Sequence, residues 1–527
     1  MSRFVRQSAY RHTYGTAAKR EECYDNIKTS LSSFDTNFVS ASAKYLAVNW
    51  QASGGGAFLV QPLDVTGKLP DLFPLCRAHT APVLDTHWSP FDDSIVASVG
   101  EDGKLALTKV DDELLHDAWS GARKDLPDLT PVWSTSAHGR KAGHARFHPS
   151  ANGVLATAST DVKIWDVEAQ TARLTSDAHA DMVQSIDWSF TGDVFVTTCK
   201  DKKLRLFDPR AGSAAVTVAD SHSGVKGSRV AWLGSLDRIV TTGFSRTSDR
   251  QTFLWDARDL TKGPIKQLNI DQSSGMLMPF FAAANNVLFL AGKGDGNIRM
   301  YELENDDLYY LSDYTSPQPQ RGMCFGPARA VNVGETEIAK AYKAVGQTIE
   351  PISFRVPRKS ESFQADLFPP VPSDEPALSA ADWFGGKTAA PILVNMETRQ
   401  HTTSSAPTKA SYKASPPAST AARAAAAPAP APEPAKAATP SPAATPARQP
   451  SPPPAPKAAE PVSSLAPAIP AASSAPAVST NGKAKEDDGE LQAYKDEVKQ
   501  LKAVLSEKDA HIRELELKLE RVKAAVA

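Results

Sequence analysis

Between residues 160 and 168 the chain reads TDVKIWDVE, a short alternating run that closes on an aromatic residue, Trp165, and an acid, Asp166. The close recurs. KKLRLFDPR puts Phe207-Asp208 at the same point, RQTFLWDAR puts Trp255-Asp256 there, and GNIRMYELE puts Tyr301-Glu302 there. Aromatic positions 165, 207, 255 and 301 are 42, 48 and 46 residues apart. Period-two runs closed in this way at such intervals predict the blades of a propeller, each a four-stranded sheet. The most apolar stretch, MLMPFFAAANNVLFLAG at 276–292, is broken by Asn285-Asn286. It is too short and too interrupted to span a bilayer and predicts a hairpin between two buried strands.

A second spacing is superimposed on the first. His79, His138 and His179 are followed 19, 19 and 18 positions later by Ser98, Thr157 and Thr197, and 23, 23 and 22 positions later by Asp102, Asp161 and Asp201. One such set would suggest a catalytic triad, but three at a constant offset cannot all be active sites. Each is expected to be a buried network of imidazole, hydroxyl, carboxylate and, where present, an indole such as Trp165, whose members satisfy one another. No catalytic residue is assigned.

Composition divides the rest. Residues 1–395 are strand-like, whereas 401–480 hold 19 of the 40 prolines among alanines. A segment of that composition cannot bury enough apolar surface to offset its ordering entropy, so 396–485 is expected to be a disordered linker. Over 486–527 a seam returns: Leu491, Tyr494, Val498, Leu501, Leu505, Lys508, Ile512, Leu515, Leu519, Val522 and Val526 step by three and four. That spacing behind a long tether predicts a coiled coil that associates copies of the chain. The net charge of −2 gives no overall bias toward nucleic acid or membrane. The scattered Cys23, Cys76, Cys199 and Cys324, with no signal-peptide pattern at the start, read as reduced thiols of a soluble intracellular protein.

Two apparent sites are discounted. His138, His144 and His148 lie close in sequence, but FHPS at 147–150 falls where WSPF and WSFT fall in neighbouring repeats, and no carboxylate or cysteine is spaced with them to complete a metal site. FGGKT at 384–388 echoes a phosphate loop, yet Ala381 stands where that motif needs glycine. No metal and no cofactor is therefore expected. The first twenty residues carry Arg3, Arg6, Arg11, Lys19 and Arg20 and no acid, which fits either a solvated arm or a site for an acidic partner. In the linker Ser415, Thr439, Ser441, Thr445 and Ser451 each precede proline and are candidates for proline-directed phosphorylation.

VRQSAYRHTYG at 5–15, YDNIK at 24–28 and SGGGAFLVQPLDVTGKLP at 53–70 resemble the N-terminal signature of the coronins. HTAPVLDTHWSPFDDSIVASVGEDG at 79–103 is similar to their first evident WD repeat, and DLFPP at 366–370 with ADWFGGKTAAPILV at 381–394 to their extension after the propeller. The Ala/Pro linker looks like that of a short fungal coronin. The resemblance implies an all-β, seven-bladed propeller over 1–358, its last blade closed by the N-terminal strand. Blade one would come from about 34–64 and the last from about 320–357. An extension over 359–395 packing on the propeller, the linker and the C-terminal coil would follow.

It further implies a protein that is not an enzyme, binds and cross-links actin filaments, and works with the actin-related-protein branching complex and cofilin. Its place would be the cytoplasm and cytoskeleton, at cortical actin patches, with no nucleic-acid partner. Lys28 stands where the family has an actin-contacting arginine, keeping the charge without the bidentate fork. His511, Ile512, Leu515 and Glu516 stand at the family's trimer motif, with His511 in place of arginine, so the coil through Val498, Leu501, Leu505 and Leu519 is expected to form a trimer or a dimer. The rival reading is a WD-repeat scaffold in trafficking or signalling that does not touch actin.

Overall fold

The structure is a computed structural model and describes residues 6–32, 36–123, 125–360, 362–402 and Tyr412. Arg3, the five serine and threonine candidates of the linker and the whole segment 486–527 lie outside the described residues.

Seven sheets form the seven blades of a propeller, antiparallel throughout except that Tyr24–Asp25 pairs parallel with Gly67–Lys68 beside the last blade. Blade 1 consists of Val39–Ala41, Tyr45–Asn49, Ala57–Pro62 and Cys76–Arg77. Its outermost strand thus lies beyond the stretch expected for it. Blades 2 to 6 take four consecutive strands each, from Val83–Trp88 to Trp133–Ser136, His144–Phe147 to Thr171–Thr175, Val183–Trp188 to Thr217–Asp220, Arg229–Trp232 to Lys266–Asp271, and Leu277–Ala282 to Asp307–Thr315. Second strands are covered by both neighbouring blades and read as unbroken buried runs, as in Tyr45–Asn49, Val154–Ala158 and Val287–Gly292. Outer strands such as Trp133–Ser136 alternate, because one face meets water. Asn285-Asn286 turns the hairpin between Leu277–Ala282 and Val287–Gly292.

Blade 7 is assembled from both ends of the chain. Gly322–Phe325, Glu337–Val345 and Thr348–Arg355 are its first three strands, and Tyr14–Ala17 pairs with the third from Tyr14↔Arg355 to Ala17↔Ile352. Further along the same strand Tyr24 pairs with Ile349. The ring therefore closes through the N-terminal segment, which leaves that strand of the last blade paired rather than open. One helix, Asp112–Ser120, interrupts blade 2; Asp111 caps its start, Gly121 ends it in the left-handed region, and Leu114, Leu115 and Ala118 are buried.

The turns define two faces. Links between successive blades and the turns from second to third strands lie on one, called here the link face. The turns from first to second and from third to fourth strands lie on the other, the far face. The segment after blade 7 runs on the far face. Leu367 and Phe368 join the core of blades 6 and 7, and Asn285 donates to the Leu367 carbonyl at 2.7 Å. The helix Ala380–Phe384 is capped by Ser379 and seats Trp383, fully buried, against His148 and Trp188 of blades 3 and 4. The Trp383 indole donates to the Gly192 carbonyl at 3.2 Å. The glycines of FGGKT thus end a helix, and no phosphate cradle forms there. All four cysteines are buried and free of disulfides, and no described helix is long and apolar enough to cross a membrane.

Candidate functional site: hydrogen-bond sets and the charge of the two faces

In blade 2 the His79 Nδ1 donates to Asp102 at 3.0 Å, and Nε2 lies 2.9 Å from the Ser98 hydroxyl. In blade 3 His138 meets Asp161 at 2.9 Å and Thr157 at 2.8 Å, and the Trp165 indole donates to the same Thr157 oxygen at 2.8 Å. Burial works against the Asp102 charge, but the hydrogen bond from His79 and the amides of Thr80 and Lys104 hold it well below the usual carboxylate range. For Asp161 the bond from His138 is the leading cause of the same downward shift. These groups are spent on one another inside the blades.

The third set departs from expectation. His179 reaches Thr197 at 2.9 Å, but its Nδ1 faces the Thr160 carbonyl at 3.2 Å, and Asp201 instead accepts both forks of Arg205, at 3.0 and 2.5 Å. The reason lies in the register. The residue beside the hydroxyl is Ala106 in blade 2 and Lys163 in blade 3, but Arg205 in blade 4. A charged, planar guanidinium outbids a neutral imidazole for a carboxylate. A fourth set was not anticipated: His222 lies 2.9 Å from Thr241, which also accepts from the Trp255 indole at 2.9 Å. The signal was present, since 222 and 241 keep the offset of 19, but Ser245 stands where the aspartate would be. Here Phe253 stacks on the imidazole at 4.1 Å instead.

The basic residues of the N-terminal arm are not gathered into one patch. Arg6 pairs with Glu302 and Glu304 at the far-face end of blade 6 and lies over the Tyr309 ring, 4.4 Å from its centroid. Arg6, a candidate contact for an acidic partner, is thus paired within the protein. Arg11 donates to the Arg6 carbonyl, and Arg20 pairs with Asp25 at 3.0 Å. Lys19 is exposed. The arm then climbs blade 7 to the link face, where Lys28 is held by its backbone: the Gln51 amide donates to its carbonyl at 2.8 Å. The Lys28 side chain is exposed and makes no ion pair among the described residues, and the neighbouring Leu31 is 69% exposed.

Charge differs between the faces. On the link face lie Lys28, Arg140, Lys141, Lys200, Lys202, Lys226 and Arg246, interspersed with Glu101, Asp102, Asp161, Asp177, Asp181, Asp201, Asp249 and Asp295. Lys293 and Arg321 lie over the Phe38 ring there, 4.7 and 5.1 Å from its centroid. Turns of the far face carry Asp92, Asp93, Asp111, Asp112, Glu113, Asp117, Asp125, Asp128, Glu168, Asp193, Asp208, Asp237 and Asp306 against Lys44, Arg123, Arg210, Arg258, Lys262 and Arg329. The link face is therefore close to balanced in charge while the far face is acidic, so an acidic partner surface is repelled by the far face and not by the link face.

The central channel widens toward the far face into a cavity of about 420 Å³ lined in part by Asp85, Arg146, Asp187, Phe280, Phe325 and Arg329. Arg146 pairs with Asp85 at 2.7 Å and Arg329 with Asp93 at 2.8 Å, while Asp187 accepts the Trp232 amide at 2.7 Å. No group of three or more His, Cys, Asp or Glu among the described residues is arranged to hold a metal ion; His148 instead accepts the Ser150 and Ala151 amides and sits between Trp188 and Trp383.

Comparison with known proteins adds the following. Residues 3–68 match a family described as a domain of unknown function, DUF1899; residues 171–208 match the WD domain, G-beta repeat; and residues 349–391 match a type of WD40 repeat. A coronin-like protein of Schizosaccharomyces pombe is 48% identical over 399 residues, which is 75% of this chain and 65% of the relative. A coronin-like protein of Saccharomyces cerevisiae is 46% identical over 402 residues, 75% of this chain and 61% of the relative. The chain thus spans slightly less than two thirds of each yeast relative. Coronin-A of Dictyostelium discoideum is 44% identical over 399 residues, 75% of this chain and 87% of its own. The crystal structure of the WD40 domain from Toxoplasma gondii coronin superposes with a TM-score of 0.67 at 30% identity, covering 73% of this chain and 97% of that one.

Proposed function

Since the chain belongs to the coronin family, we propose that it binds actin filaments through the link face of its propeller, with Lys28 at the centre of the contact. The observation that carries this reading is the exposed Lys28 ammonium on the face that is not dominated by carboxylates. Lys19 and Arg20 extend the contact along the rim of blade 7. The activity is binding and cross-linking, not catalysis. The propeller and extension, 1–358 and 359–395, form the binding body, 396–485 the tether and 486–527 the oligomerising coil. Cross-linking follows from joining propellers through the coil, since a tethered second site binds at a raised effective concentration. The branching complex and cofilin are the proposed functional partners, and cortical actin the proposed location. Co-sedimentation of the purified chain with actin filaments tests the reading: it predicts pelleting that weakens with salt, and a scaffold that does not touch actin would stay in the supernatant.

A further inference from the structure

Past Thr402 the described chain resumes at one residue, Tyr412. Its ring is partly buried against the apolar cluster of blades 4 and 5 that contains Val194, Trp232, Ala257 and Leu260. Three carboxylates act on its phenol: Asp193 and Asp237 from the first-to-second-strand turns of those blades, and Asp208 from the third-to-fourth-strand turn of blade 4. These turns belong to the far face. Tyr412 lies ten positions past Thr402, a reach of up to about 35 Å, so the connection is easily made.

We propose that the apolar cluster at the far-face ends of blades 4 and 5 is a docking site for this chain's own linker, with Tyr412 as its anchor. Two observations fix the occupant. The ring of Tyr412 is seated on the apolar cluster. The linker is also complementary in charge to the rim: Lys409 and Lys413 flank Tyr412 in sequence, and from 403 to 482 the linker carries Lys409, Lys413, Arg423, Lys436, Arg448 and Lys457 against Glu433 and Glu460. The surrounding carboxylates also favour the neutral phenol over its anion, as does burial, so an added negative charge at this position is incompatible with docking. Anchoring here makes the tether leave from the far face, opposite Lys28, and keeps a basic segment off the link face. The docking does not depend on filament binding.

The test is limited trypsin digestion of the full chain without actin, following cleavage after Lys409 and Lys413 by mass spectrometry. Wild-type protein and Tyr412→Phe should be cut slowly at these bonds. Tyr412→Ala should be cut several-fold faster, and Tyr412→Glu at least as fast as Tyr412→Ala. Unfolding midpoints should agree across the variants, since Tyr412 lies outside the closed ring. Equal cleavage of wild type and Tyr412→Ala would overturn the anchor. Cleavage of Tyr412→Glu as slow as that of Tyr412→Phe would overturn the role of the carboxylates.

Discussion

Tyr14 lies opposite Arg355, so a residue near the start of the chain completes the sheet that the third strand of the last blade leaves open. The segment following Tyr14 is tightly placed: a side chain at Gly15 would bring its Cβ to 2.7 Å from Tyr314 and 3.0 Å from Phe354. Gly15→Val should therefore destabilise the propeller by about 1–3 kcal/mol, the usual cost of overpacking a core. A chain beginning at residue 30 also loses the buried Tyr24 and Ile27 and should fail to close. Urea unfolding of both variants measures this, and a truncated chain as stable as the full one would refute closure by the arm.

Thr157 and Thr241 each serve an imidazole and an indole at once. Replacing either with valine keeps the shape and strands two buried polar groups, at about 1–3 kcal/mol for each group left unsatisfied. The two variants should lower the unfolding midpoint by similar amounts, although only one set carries an aspartate. If Thr241→Val were neutral, the blade 5 set would be an accident of packing.

The buried His148, His179 and His222 and the half-buried His87 give the fold a pH dependence. Burial pushes His87 and His148 down to about 3, and His179 and His222 down to about 4. Unfolded histidine titrates near 6.5, so between that value and the folded ones the unfolded chain binds more protons. Stability is complete above about 6.5 and should fall as pH drops toward 4, each group contributing at most about 1.4 kcal/mol per pH unit. The raised carboxyls of Asp187 and Asp237 oppose this, as does His116, raised by its hydrogen bonds to the Asp112 carbonyl and Asp64, but these groups are fewer. The urea midpoint at pH 5 should lie clearly below that at pH 7, and equal midpoints would contradict the neutral, buried assignment.

What was legible in the sequence follows physical repetition. Blades 3 to 6 announced themselves because each third strand ends on an aromatic and an acid: Trp165, Phe207, Trp255 and Tyr301. The third strands of blades 1 and 7, Ala57–Pro62 and Thr348–Arg355, have no such close, and only family resemblance pointed to them. The Asp201 pairing was misread because it depends on a competitor, Arg205, that the repeat pattern does not include. The split of the basic arm was invisible for another reason. Composition sees five cations in twenty residues, but Arg6 is neutralised by Glu302 and Glu304, which only the closed ring brings beside it.

The coil is assigned the work of bringing filaments together. Deleting residues 486–527 should leave a monomer that still binds filaments, more weakly, and no longer bundles them. Sedimentation at low and high force separates bundles from single decorated filaments. A monomeric deletion protein that still bundled would mean that the propeller itself carries two filament sites.

The account rests on the link face meeting the filament through Lys28, and charge reversal there tests it most directly. Lys28 is exposed, so Lys28→Glu should change stability by no more than roughly 0.5 kcal/mol. It should nevertheless reduce the pelleted fraction several-fold at low salt, and most of that difference should vanish as salt is raised. Glu168→Lys, an exposed reversal on the far face, should leave pelleting unchanged. The measurement is high-speed co-sedimentation of wild type and both variants over a salt series. Loss with Lys28→Glu alone is the predicted result. Equal pelleting of wild type and Lys28→Glu at every salt concentration would place the filament contact elsewhere on the molecule.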